Sequence, residues 1–125
     1  MAIEMVNWLE IPVTDMDRAK QFYEAVFEFK TVDMEVGGEI YPCFPNKNDD
    51  GYSGALVKYE FATPGKKGPL VYLTAYDGVE AMIERVLFAG GVILKAPEEI
   101  APGFGYFAIF EDTEGNQLAF QGEKL

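Results

Sequence analysis

The chain predicts an α+β fold of two repeated β-α-β-β-β modules forming a curved mixed sheet with a cavity. Three observations carry that prediction. Ala19, Phe22, Tyr23, Val26 and Phe27 have the i, i+3, i+4, i+7, i+8 spacing of one helical face. Val79, Met82, Ile83, Val86 and Leu87 repeat it with an offset of 60 residues at every position. Each stripe follows an alternating run, Val6–Val13 or Leu70–Ala75, and precedes several more. Such self-similarity within 125 residues reads as two copies of one module in a single domain. Module one covers residues 1–63 and module two 68–125. Residues 64–69, Pro-Gly-Lys-Lys-Gly-Pro, are a linker of turn formers and charge.

Each element has its own signal. Val6–Val13 alternates as strand one, with Trp8 and Glu10 on one face and Leu9 and Ile11 on the helix face. Thr14 or Asp15 caps the first helix, which runs to about Phe27. Phe29–Val36 and Glu39–Phe44 are a hairpin around Gly37-Gly38. Tyr52–Phe61 is strand four, with Ala55, Val57, Tyr59 and Phe61 expected against a helix. Leu70–Ala75 is strand five. Asp77 is the cap candidate for the second helix, with Glu80 completing a capping box. Gly90-Gly91 stops that helix after Ala89. Strands six to eight are Val92–Lys95, ended by Pro97, then Gly105–Phe110 and Gln117–Gln121, with a polar turn at Asp112–Asn116 between the last two.

Composition narrows function by exclusion. The net charge of −11 repels nucleic-acid phosphates and anionic membranes. It is compatible with a cationic ligand. With no histidine, the chain lacks the commonest zinc ligand and any histidine-containing catalytic triad. One cysteine, Cys43, excludes an internal disulfide framework, so the expected compartment is the cytoplasm. The opening Met1-Ala2-Ile3-Glu4 has no basic region or apolar signal core. No glycine loop for a nucleotide phosphate precedes a helix.

Several stretches resemble the glyoxalase / bleomycin resistance / dioxygenase superfamily, the vicinal oxygen chelate proteins. They are Glu10–Ala19 (EIPVTDMDRA) with Phe22-Tyr23, Ala89-Gly90-Gly91, and Phe110–Asn116 (FEDTEGN). The resemblance spans essentially the whole chain and implies paired β-α-β-β-β modules. It also implies a homodimer, since short members are usually dimers whose cavities the second chain often completes. The family's isomerases, dioxygenases, fosfomycin-modifying enzymes and drug-sequestering proteins leave the activity open. Its four metal-ligand positions fall on Trp8, near Leu56, on Leu70 and on Ala119, none of which can bind a metal. A metal-dependent lactoylglutathione lyase or extradiol dioxygenase is therefore not expected, and no cofactor is.

Strand alternation assigns the cavity face to Trp8, Glu10, Leu56, Lys58, Glu60, Leu70, Tyr72, Thr74, Ala119 and Gln121, with Tyr106 or Phe107 according to register. Trp8 and Tyr72 offer stacking surfaces for an aromatic or cationic organic ligand, or else simply fill the barrel. Glu10 is a general acid or base candidate; the other reading pairs it with Lys58 or a tyrosine hydroxyl. Tyr72, Tyr106 and Gln121 are hydrogen-bonding candidates. Cys43 reads as buried filler. Three functions stay open: a small-molecule-binding protein without a metal centre, a metal-independent lyase or isomerase using Glu10, and a structural or interaction protein with a filled cavity.

Overall fold

The structure is a computed structural model describing residues 1–125, the side chains of Val36 and Asp49 excepted. Eight strands and two α-helices follow one another as two β-α-β-β-β modules. Module one contains β1 (Leu9–Pro12), α1 (Met16–Phe27), β2 (Val32–Val36), β3 (Glu39–Pro45) and β4 (Tyr52–Val57). Module two contains β5 (Tyr72–Thr74), α2 (Val79–Phe88), β6 (Val92–Glu99), β7 (Tyr106–Glu111) and β8 (Gln117–Gly122). The strands divide between two four-stranded mixed sheets, ordered β1-β4-β3-β2 and β5-β8-β7-β6. In each, the first strand pairs in parallel with the last, and the other pairings are antiparallel.

The apolar stripes do what their spacing predicts. Ala19, Phe22, Tyr23 and Val26 of α1 and Val79, Met82, Ile83 and Val86 of α2 are buried. They join Ile11, Val13 and Leu56 from the first sheet and Ala108, Phe110, Leu118 and Phe120 from the second in one core. Phe110 stacks on Phe120 at 4.6 Å between ring centres and on Phe22 of the other module at 6.3 Å. Each such side chain contributes roughly 1.5–3 kcal/mol of burial free energy, so the modules share their largest stabilising term. Leu87, the last residue of the second stripe, is 56% exposed. Among the described residues, no helix is long and apolar enough to cross a membrane.

Three local expectations are corrected. The inner face of β4 is Leu56, while Ala55 and Val57 lie on the outer face with Tyr41 and Cys43. Residues 54–57 are all buried, so this strand has no polar alternation to mark its faces. Gly54 is required there, because a Cβ would meet the carbonyl oxygen of Leu9 on the adjoining strand. Helix α2 has no side-chain cap: Gly78 holds the cap position, and Asp77 bonds Arg85 instead. The first N–H groups of α2, those of Val79 and Glu80, donate to the carbonyls of Lys124 (3.1 Å) and Leu125 (2.6 Å). Strand β6 continues through Pro97 to Glu99, because it is an edge strand and the register shift between Lys95 and Glu98 absorbs the missing donor.

Candidate functional site

The two sheets have equivalent registers. Val13 donates its N–H to the carbonyl of Val57, and Ala75 donates to that of Gln121, both at 2.9 Å. In the parallel pairs Glu10 lies beside Ala55 and Tyr72 beside Ala119. Glu10 is thus the counterpart of Tyr72, Ala55 of Ala119 and Val57 of Gln121. Trp8, two residues before Glu10, corresponds to Leu70. The family position expected near Leu56 therefore falls on Ala55. Trp8, Ala55, Leu70 and Ala119 offer no metal-ligating side chain, and among the described residues no group of three or more His, Cys, Asp or Glu could hold a metal ion. These residues do not fit the family's chelated ion.

On the outer face of the first sheet, Glu10 is the polar centre. Its carboxylate accepts the indole N–H of Trp8 at 3.3 Å and the hydroxyl of Tyr59. Tyr59 lies 6.4 Å from Tyr41, ring centre to ring centre. The hydrogen bond to Glu10 and partial burial raise the Tyr59 pKa above the ordinary tyrosine value. Trp8 and Tyr59 are 38% and 41% exposed, whereas Tyr41, Cys43, Ala55 and Val57 beneath them are buried. Glu10 therefore pairs with a tyrosine hydroxyl. Lys58 lies just beyond the end of β4, is exposed, and forms no ion pair among the described residues.

The outer face of the second sheet carries two rows of side chains. Tyr72, Ala119, Ile109 and Lys95 form one; Thr74, Gln121, Phe107 and Glu98 form the other. Tyr72 is 52% exposed and lies 6.4 Å from Phe107 between ring centres. The Lys95 ammonium sits 5.8 Å over the Phe107 ring and 3.4 Å from Glu98. Gln121 donates its amide N–H to the carbonyl of Phe104 at 3.3 Å. The register thus puts Phe107 on this face, while Tyr106 packs against the helix-side core. Sequence reading put Tyr59 in a strand running to Phe61 and on its helix face; β4 ends at Val57, and Tyr59 instead bonds Glu10 on the outer face.

A second polar cluster holds the modules together. Glu114, with a fully buried side chain, accepts the N–H groups of Thr14 (2.9 Å) and Asp15 (2.8 Å) just before α1. Arg18 donates to it from Nε at 2.8 Å and from a terminal nitrogen at 3.1 Å. Burial alone would raise the Glu114 pKa, but Arg18, the N–H groups and the Thr113 hydroxyl outweigh it and bring it down to about 2. Buried Asp112 accepts the Tyr23 hydroxyl at 2.7 Å, and burial followed by this carboxylate pushes the Tyr23 pKa well up. Asn116 donates to the carbonyl of Pro12 at 2.8 Å and accepts the N–H of Gly65 at 3.0 Å. The other end of α1 is closed from module two as well. Arg85 Nε donates to the carbonyl of Val26 (2.7 Å) and the Tyr76 hydroxyl to that of Phe27 (2.6 Å).

Two shallow concavities lie elsewhere. One is lined by Gln21, Glu24, Ala25, Glu28, Phe29 and Lys30, the other by linker residues Thr63–Lys67 with Glu111 and Gly115. Neither includes the aromatic residues of the sheet faces.

The family model described as the Glyoxalase/Bleomycin resistance protein/Dioxygenase superfamily matches residues 5–120. A glyoxylase-like domain-containing protein of Didymella fabae is 29% identical over 127 residues, spanning 91% of this chain and 90% of that protein. The crystal structure of TnmS3, an antibiotic binding protein from Streptomyces sp. CB03234, is 25% identical, with a TM-score of 0.64, over 98% of each chain. A glyoxalase/bleomycin resistance protein from Albidiferax ferrireducens T118 has a TM-score of 0.67 at 17% identity, over 95% of this chain and 99% of that one.

Proposed function

This chain belongs to the Glyoxalase/Bleomycin resistance protein/Dioxygenase superfamily, and we propose that it is a small-molecule-binding protein that works without a metal centre. One observation carries the reading. The positions expected to chelate an ion hold Trp8, Ala55, Leu70 and Ala119, while the same faces present Trp8, Tyr59, Tyr72 and Phe107 around a few polar groups. An apolar aromatic surface with sparse polar handles is what binds a flat organic molecule. The antibiotic-binding description of TnmS3, which shares a quarter of its residues with this chain over the full length, supports the same class.

The outer faces are open in the single chain, with Trp8, Met34 and Tyr72 each more than a third exposed. In our reading a second copy covers them, so that the site lies between module one of one chain and module two of the other. Ala55 and Ala119 keep the floor of each face low, and Gln121 supplies an amide at its margin.

Trp8 is the only tryptophan and reports directly on this face. Titration with acridone, a neutral planar aromatic, is expected to change Trp8 emission saturably. Tyr72→Ala is expected to weaken binding about three- to tenfold, the worth of one aromatic pair. Analytical ultracentrifugation of the same samples is expected to give twice the chain mass. A monomer that binds no planar aromatic compound would overturn the reading.

A further inference from the structure

We propose that Glu10, Trp8, Tyr59 and Tyr41 form a cage for an alkylated ammonium group, which makes the ligand of this site an organic cation. The inference rests on the binding reading above and narrows its ligand.

Charge compensation is the first ground. Glu114 is paired with Arg18, Asp77 with Arg85, Glu111 with Lys66 and Glu98 with Lys95. Buried Asp112 receives only neutral donors, but it is enclosed by a phenol, an amide and two backbone N–H groups, whereas Glu10 receives only the Trp8 indole and the Tyr59 hydroxyl, on a sheet face that is open. Among the described residues no lysine, arginine or N-terminal nitrogen lies within ion-pair distance of it. The two donors fix the carboxylate in place and leave its charge uncompensated.

The surroundings are the second ground. An exposed carboxylate on a polar surface is neutralised by water and salt. This one stands on a face floored by buried Ala55, Val57, Cys43 and Tyr41. Any partner that covers the face removes that water, and an unmatched carboxylate then becomes costly. An ammonium group supplies the missing charge. Aromatic rings beside it add the attraction of their π faces, which is greatest for tryptophan. A primary ammonium would seek three hydrogen-bond acceptors, and the cage offers chiefly one carboxylate. A methylated ammonium seeks fewer and gains more from the rings. A phosphate or carboxylate ligand is disfavoured at the same spot by Glu10 itself.

Choline and its neutral isostere 3,3-dimethylbutan-1-ol separate charge from shape. Ligand-observed NMR titration of the intact protein measures both, with acridone and Trp8 emission run beside them. Choline is expected to bind at least about tenfold more tightly than the isostere, which is the scale of one desolvated cation–π and carboxylate contact. Glu10→Gln is expected to reduce that preference to about threefold or less. Tyr59→Phe keeps the ring but frees the carboxylate, and is expected to give an intermediate preference. Equal binding of choline and the isostere, or a preference surviving Glu10→Gln, overturns the cage; acridone binding then leaves the broader reading standing. Binding of none of the three overturns both.

Discussion

Glu114 and Glu10 are both carboxylates gripped by two or more donors, and their surroundings give them opposite meanings. Glu114 is buried, receives a guanidinium and two backbone N–H groups, and joins the turn of module two to the start of α1. Two backbone N–H groups ahead of α1 would lose their acceptor without it. Glu10 lies on an open sheet face, receives an indole and a phenol, and leaves no backbone group dependent on it. A carboxylate whose charge and partners are all matched inside the protein is architecture. One whose charge is left over, among exposed aromatic rings, is available to a ligand.

Substitution should separate the two roles, and the largest effect belongs to the seam. Glu114→Ala leaves Arg18 and two N–H groups unpaired and is expected to cost about 3 kcal/mol, read as the shift in a chemical-denaturation midpoint. A loss below about 0.5 kcal/mol, the range of ordinary surface changes, would erase the contrast.

Acid should act on the same residue. The folded-state pKa of Glu114, about 2, is below its unfolded value of 4.5. Its contribution is therefore fully present above pH 4.5 and is lost as pH falls from there through 2. Its size is on the order of 3 kcal/mol. Stability measured across that window should fall less steeply in Glu114→Gln than in the native chain.

Asn116→Ala removes the bridge between Pro12 and Gly65 and is expected to cost about 1–3 kcal/mol, seen as a lowered midpoint without a changed fold by circular dichroism. Gly91→Ala tests the packed seam beside it. A Cβ there would lie 2.6 Å from Val86 Cγ1 and 2.9 Å from the ring of Phe22 in the other module. Overpacking of this kind costs about 1–3 kcal/mol, which thermal unfolding would register. The smallest stability effect is expected at Glu10→Gln, within about 0.5 kcal/mol of the native chain. Its consequence should appear in binding.

The helices were legible because a stripe of five apolar residues at helical spacing has only one periodic explanation, and it occurred twice. Strand existence was legible from alternation and turn formers. What escaped were features set by tertiary partners. Gly54–Val57 is apolar throughout and buried on both sides, so its faces depend on register with β1. Asp77 looks like a cap until Arg85 reaches it at 2.9 Å. Glu114 was hidden inside a turn motif, since its partners at Thr14, Asp15 and Arg18 are about a hundred positions away in the chain. In the site, Trp8, Glu10, Tyr72 and Gln121 were legible as members of one face type. Tyr59 was read on the helix face of a strand expected to run to Phe61, whereas β4 ends at Val57, and Phe107 was not separable from Tyr106 without the register. The same holds for the pairing of Glu10, where sequence offered Lys58 and a tyrosine equally.

Native mass spectrometry of the purified protein is the most direct test of a binding site without a metal centre. It is run as isolated, after addition of zinc, nickel, manganese and iron(II), and after denaturation to release anything carried along. The account predicts a dimer that retains no stoichiometric metal and releases or accepts a small organic molecule. One tightly held divalent ion per chain would contradict it.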